Sequence, residues 1–234
     1  MKKIAIILFL FISVFTYSQT SGKITYELVL GDDPRELLRE IDVQRLRTAQ
    51  VLSSDLIFNL YFNKEQSFFE IENLPYDYSE YSSLFASATT KPKYSHYCDL
   101  KNQKFAYGFF YKFYAKDYIL EDTANYNWEI TNEEKIIDNL TTIKAIGLTR
   151  DNQRVEVWFT PEIPVTSGPE NFMGLPGLIL ELQLGYTKYI CKKIEFTDVY
   201  NSKIEKPTGA EIIDYKTYDE LSQRQVEYFK NGSF

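Results

Sequence analysis

Apolar and polar residues alternate in period two along most of the chain, so β-strands dominate its reading. In residues 23–30, KITYELVL, Ile24, Tyr26 and Leu28 share one side. The pattern returns over residues 55–63 and 67–71, twice within 104–122 around Ala115-Lys116-Asp117, and again over 126–138, 141–149, 153–160 and 188–196. In 153–160, Val155, Val157 and Phe159 face one way, and Glu156, Trp158 and Thr160 the other. Two stretches change to a helical period. In residues 33–52, Asp33 is the N-cap, Pro34 suits the first helical position and Glu36 closes a capping box. Leu37, Leu38, Ile41, Ala49 and Leu52 then form an apolar face. Near the C-terminus, Thr217 and Glu220 make a second capping box before Tyr218, Leu221, Tyr228 and Phe229, and Gly232 is a stop. Residues 74–97 are rich in Tyr, Ser and Thr without a period, which reads as a long surface excursion.

These elements predict an α+β fold. A large, mostly antiparallel curved sheet carries one helix after the first strand and one at the C-terminus. At the level of fold alone it resembles the half-barrels of periplasmic lipoprotein carriers. Residues 1–18 stand apart. Lys2 and Lys3 precede an apolar run over 4–14, broken only by Ser13, and small residues follow at Thr16 and Ser18. That is the pattern of a secretory signal peptide. The run falls short of the roughly 20 residues of a membrane span. The expectation is one exported β-rich domain over 19–234, periplasmic or secreted, not membrane-spanning. Without the leader the basic count falls from 26 to 24 against 33 acids, a net charge near −9, which argues against nucleic acid as a partner.

One stretch breaks the alternation with turn chemistry. Residues 161–169 hold Pro161, Pro164 and Pro169 with Gly168, and Glu162 sits between the first two prolines. Proline removes a backbone donor, so this is a pinned crossing rather than an interior strand. It leads into Gly174-Leu175-Pro176-Gly177-Leu178-Ile179. Leu175 to Leu178 fits a type II turn, with Gly177 at the position that needs positive φ. Leu178, Leu180, Leu182 and Leu184 then share one face of a core strand. A structural turn is the expected role. A direct ligand-binding loop is the alternative, and a phosphate loop is disfavoured, because the chain leaves as a strand and no Lys stands in nucleotide-loop spacing.

The stretch VWFTPEIPVTSGPENFMGLPGLILEL, residues 157–182 from Val157 through Trp158, resembles the GLPGLI family of exported proteins of Bacteroidetes-type bacteria, named for this hexapeptide. The segments NWEIT at 127–131 and TTIKAIGL at 141–148 fit the family's order. Where the family often has a cysteine before a Lys-Ala pair, this chain reads Thr142-Ile143-Lys144-Ala145. The resemblance implies export and brings no reaction or catalytic residues with it.

Candidate chemistry is sparse. Cys98 and Cys191 are the only cysteines. In an oxidising compartment they invite a disulfide closing a loop of about 90 residues, worth roughly 4 kcal/mol, the alternative being two buried thiols. His96 is the only histidine and reads as an exposed loop or strand-edge residue, so triads and histidine metal sites lack a partner. Glu129, Glu133, Glu134 and Asp138 read as a solvated hairpin. No cofactor is expected. The feature above background is aromatic content: Phe105, Tyr107, Phe109, Tyr111 and Phe113 alternate along one strand. They read either as cross-strand core pairs or as an apolar groove. The functional expectation is a non-catalytic envelope protein that binds an apolar or peptidic ligand or an outer-membrane protein. The alternatives are a carboxylate-based hydrolase, using Glu162 or Glu129, and a structural or stress-response component of the envelope.

Overall fold

A computed structural model describes residues 20–31, 56–72, 95–111 and 116–230. The leader, the predicted helix over 33–52, residues 74–94 of the excursion, Phe113 and Gly232 lie outside the described residues. The described strands are β1 (Gly22–Leu30), β2 (Ile57–Phe62), β3 (Gln66–Ile71), β4 (Ser95–Asp99), β5 (Lys104–Tyr111), β6 (Lys116–Thr123), β7 (Glu129–Ile137), β8 (Leu140–Leu148), β9 (Arg154–Thr160), β10 (Leu178–Leu184), β11 (Thr187–Phe196) and β12 (Glu211–Ile213). A helix, α1 (Tyr215–Lys230), ends the described chain.

All twelve strands join one sheet, in the order β12-β6-β5-β4-β3-β2-β1-β11-β10-β9-β8-β7. Every pairing is antiparallel except β12 with β6. Alternation decides the faces. Ile24, Tyr26 and Leu28 of β1 lie opposite Leu60 and Phe58 of β2 and Cys191 and Tyr189 of β11, and all are buried. Val155, Val157 and Phe159 continue this inner face.

The sheet is strongly curled, and chain length alone requires it. From Thr123 at the end of β6 to Glu129 at the start of β7 there are six Cα steps, about 20 Å at full extension. In a flat sheet those strands, ten places apart, would lie about 48 Å apart. A direct contact agrees. Arg150, in the turn between β8 and β9, pairs with Asp122 of β6 at 2.9 Å and donates to the Thr123 carbonyl at 3.0 Å. Inside the curl, residues 161–177 fold inward as a plug, burying Ile163, Val165, Phe172, Met173 and Leu175. At the β5–β6 flank α1 covers the same face, with Tyr218 edge-on to Phe109 at 5.3 Å.

The outer face carries a strap. After β11 a 3-10 helix over Asp198–Lys203 lays Tyr200 against Tyr61 at 5.5 Å. Ile204 and Ala210 then pack on Tyr97, Ala106 and Ile119, and the strap ends in β12.

Two expectations about elements change, and one strand is new. β4 falls at the end of the stretch read as an excursion: four of its five residues are buried, so no alternation marks it. β12 is three residues long, too short for a period. The cap of α1 is Asp214, whose Oδ1 accepts from the Thr217 amide at 2.9 Å, which places Thr217 inside the first turn.

Candidate functional site

The hexapeptide is the exit stalk of the plug. The Gly174 amide donates to the Thr166 carbonyl at 3.1 Å, Leu178 to Ile163 at 3.1 Å and Ile179 to Ser167 at 2.9 Å. The expected type II turn is therefore absent, since Leu178 bonds across the plug instead of back to Leu175. Positive φ belongs to Gly174, at 97°, and not to Gly177. Gly177 is glycine because of proximity: a Cβ there would fall 2.1 Å from the Thr160 carbonyl oxygen. Leu175 is buried and Pro176 exposed. The strand that follows is not a simple alternation. A bulge between Ile179 and Glu181 buries Ile179 together with Leu178, Leu180 and Leu182.

The flanking residues hold the plug from several sides. Gly168 packs against the Ile179 side chain. The Ser167 hydroxyl bonds Ser67 of β3 at 2.7 Å, and the Tyr26 hydroxyl donates to the Ile179 carbonyl at 2.5 Å. The Trp128 indole donates to the Met173 carbonyl at 2.9 Å. Pro169 is buried, whereas Pro161 and Pro164 are exposed at the plug's entry. Glu162 accepts from the Thr141 amide at 2.8 Å, a turn contact on the surface. On the outer face, Trp158 lies under the Lys135 ammonium at 4.3 Å. Lys135 and Lys188 each reach Glu181 at 2.7 Å. Burial works to raise the Glu181 carboxyl, but the two lysine hydrogen bonds prevail and hold it below its ordinary range.

The remaining sequence candidates are dispersed. Cys98 and Cys191 are free, buried thiols, the second of the two arrangements that the sequence left open. Cys98 lies on β4 and Cys191 on β11, with β3, β2 and β1 between them. Burial pushes both thiols up to about 12, which leaves them protonated and inert. His96 is buried within β4, not exposed, and stacks on Tyr107 at 4.5 Å. Burial lowers it to about 3, so it is neutral. Among the described residues no cluster of His, Cys, Asp or Glu is arranged to hold a metal ion. Phe105 and Phe109 are buried core and Tyr107 is half-buried against it. Tyr111 ends β5. Tyr218 of α1 packs on Phe109, and Phe105 lies beside the plug residue Phe172 on the wall of a cavity described below. Glu129 is exposed at the start of β7, and Glu133 and Glu134 are exposed beyond it.

One arrangement was invisible in sequence. Where the two flanks of the sheet meet the plug, a cavity of about 180 Å³ is lined by residues 105, 123–126, 149–151, 170–172, 184 and 215. Its walls include Tyr126, Phe172 and Tyr215, and its polar groups include Asn125, Arg150, Asp151 and Glu170. Arg150 also lies over the Tyr215 ring at 4.6 Å, and the Tyr215 hydroxyl donates to Asp151 at 3.1 Å. Glu170 has a φ of 56°, the left-handed region that few non-glycine residues adopt. Its carboxylate accepts from the Tyr189 hydroxyl at 2.9 Å. Burial, with the Glu170 charge adding to it, pushes the Tyr126 phenol well above its usual value. Burial and the Asp151 charge push Tyr215 to about 12. Both rings are neutral hydrogen-bonding walls. The one sequence signal was an acid pinned behind Pro169 within the proline-rich crossing.

Residues 148–181 match a family described as "Protein of unknown function (Porph_ging)". That stretch contains the whole plug, residues 161–177. No curated protein matches the chain. Two solved structures, "Structure of PNGF-II in P21 space group" and "Structure of PNGF-II in C2 space group", are similar in fold, each at 14% identity and a TM-score of 0.55. Each alignment covers 86% of this chain, which spans about a third of theirs, 33% and 32%. An uncharacterized conserved protein from Thermus thermophilus aligns at 8% identity over 84% of this chain and 91% of its own, with a TM-score of 0.39.

Proposed function

We propose that the chain is an exported GLPGLI-type envelope protein that binds and does not transform its ligand, and that the ligand is a peptide segment, free or belonging to an outer-membrane partner. The cavity between the flanks carries this reading. It is a place where aromatic walls and convergent polar groups border about 180 Å³ of empty volume, the combination of surfaces that ligand seats use. Export rests on the leader pattern in residues 1–18 and periplasmic location on the family resemblance. No helix among the described residues is long and apolar enough to cross a membrane. An acyl chain along the aromatic row is the weaker form of the idea, since plug and helix already occupy that face.

Native purification of the tagged protein from its own envelope, followed by mass spectrometry without denaturation, tests the reading. A stoichiometric adduct or companion protein is expected. It should be lost from Asn125→Trp, which plugs the cavity from an exposed lining position. A bare chain from both proteins overturns the reading. A carboxylate-based hydrolase is the second reading, favoured by one observation: Asp151 and Glu170 line the same cavity. Turnover of a bound peptide, abolished in Glu170→Gln, would select it.

A further inference from the structure

We propose that the outer edge of β7 is a docking site for an extended peptide strand in which apolar and basic residues alternate, joined to the sheet by backbone hydrogen bonds. The inference goes beyond the cavity reading and stands without it.

The two ends of the sheet differ. One ends in β12, three residues long, which runs almost directly into α1. The other ends in β7, nine residues long, of which six are exposed. Among the described residues its one neighbouring strand is β8. The backbone groups along its other side are therefore open to a further strand, the condition under which a peptide extends a sheet.

The apolar layer of the sheet runs on into this edge. Ile130 lies opposite Ala145, which lies opposite Val157. Ile136 lies opposite Thr141, two residues from Ile143, and Ile143 lies opposite Phe159. Both isoleucines thus belong to the inner face, where Ile143 packs against the core. Yet Ile130 is 48% exposed and Ile136 is 66% exposed. On the face that forms the core elsewhere, two large apolar side chains stand open beside an unextended edge. A further strand would cover them with side chains of its own.

Charge chooses the occupant. Glu129, Glu133 and Glu134 are exposed on β7, and Asp138 is exposed in the turn that follows. The one basic residue of the strand, Lys135, is held by Glu181 at 2.7 Å. Glu133 meets Lys144 at 3.4 Å, but that ammonium lies nearer Glu156, at 3.0 Å. The edge is acidic, and basic side chains on an incoming strand answer it. A second copy of β7 does not. In the two-fold antiparallel register that sets Ile130 against Ile136, Glu133 faces Glu133 and Asn132 faces Glu134. The bulge between Ile130 and Glu134 is a further bar to self-pairing. An alternating strand fits both faces. Its apolar side chains lie beside Ile130 and Ile136, and its basic ones turn to the outer face, towards Glu129 and Glu133.

The test uses the mature protein and three capped heptapeptides, read by titration calorimetry and by hydrogen exchange. The first is acetyl-Val-Lys-Val-Lys-Val-Lys-Val-amide. The second has glutamate for each lysine. The third is the lysine peptide with every backbone amide N-methylated, which keeps the side chains and removes the donors. The lysine peptide should bind about tenfold more tightly than the glutamate peptide, with a preference that shrinks as salt rises. The methylated peptide should not bind. The bound lysine peptide should slow amide exchange over residues 129–137. Ile136→Lys and Glu129→Gln, both at exposed positions, should weaken it by about tenfold and about threefold. Equal binding of the glutamate or methylated peptide overturns the proposal, as does protection confined to other strands. Failure of all three peptides overturns it too. Asn125→Trp, which fills the cavity, should leave the titration unchanged, and loss of binding there would give the peptide to the cavity and overturn the edge. A native protein that purifies bare overturns the cavity reading alone, while peptide protection of β7 still supports the edge.

Discussion

The plugged interior and the mouth between the flanks are built from opposite materials. In the interior, backbone and side chains approach closely. Gly177 lies against the Thr160 backbone, Gly168 against Ile179, and His96 is sealed between Tyr107 and Phe69. At the mouth, Arg150, Asp122, Asp151 and Tyr215 form a polar clasp around a cavity. The difference separates two roles that the family motif merges. Its hexapeptide builds the interior, while Glu170, a few residues before it, faces the mouth. A recognisable motif therefore marked the scaffold, and the candidate site lies where polar contacts and empty space coincide.

Acid should break the contrast most strongly. Burial holds His96 near about 3 in the fold, against an ordinary value of 6.5. Between those values the unfolded chain binds the extra proton. The neutral ring's contribution is complete above about pH 6.5 and is lost as pH falls towards 3. Across that window the loss is about 5 kcal/mol, at roughly 1.4 kcal/mol per pH unit. Glu181 adds to it below the ordinary carboxylate range, because its folded value is depressed. Denaturant unfolding from pH 7 to 4 should show the slope, and His96→Phe should flatten the part above pH 5.

Next in size is Gly177→Ala. The added methyl forces the Thr160 carbonyl aside, and a loss of about 3 kcal/mol is expected in the unfolding free energy. An unchanged denaturation midpoint would falsify the close-approach account of the stalk. Trp128→Phe keeps an aromatic ring but loses the five-membered ring of the indole and with it the donor to Met173, which should cost about 1 to 2 kcal/mol. Smallest in stability is Arg150→Gln at the mouth, about 1 kcal/mol or less, because the ion pair is part-exposed. Its effect should appear in ligand affinity, through release of Asp122 and Tyr215. A large stability loss there would mean that the clasp, and not the plug, keeps the sheet curled.

The alternation of Ile24, Tyr26, Leu28, Val155, Val157 and Phe159 made most strands and their inner face readable, because period two is a local property of the chain. Its limits were local as well. β4 is buried on both sides and so shows no alternation, and β12 is too short to have one. The bulge at Leu180 broke a face that four leucines had promised. Gly177 was readable as a required glycine, but for the wrong reason: φ is a property of a turn, whereas the approach of the Thr160 carbonyl comes from a neighbouring strand. His96 was misplaced and the cysteine pairing was left undecided because burial and distance depend on strand order, which no spacing records.

The chain's local patterns were enough to specify a mostly antiparallel sheet, a pinned proline crossing and a C-terminal helix, since each arises from neighbours a few residues apart. The curl, the plug within it and the cavity come from contacts between distant segments. Asp122 meets Arg150, Ser67 meets Ser167 and Tyr189 meets Glu170. Those contacts form only once the sheet has wrapped its two flanks towards each other around the plug, and it is there that a carboxylate-lined space is created from residues that carry no common pattern.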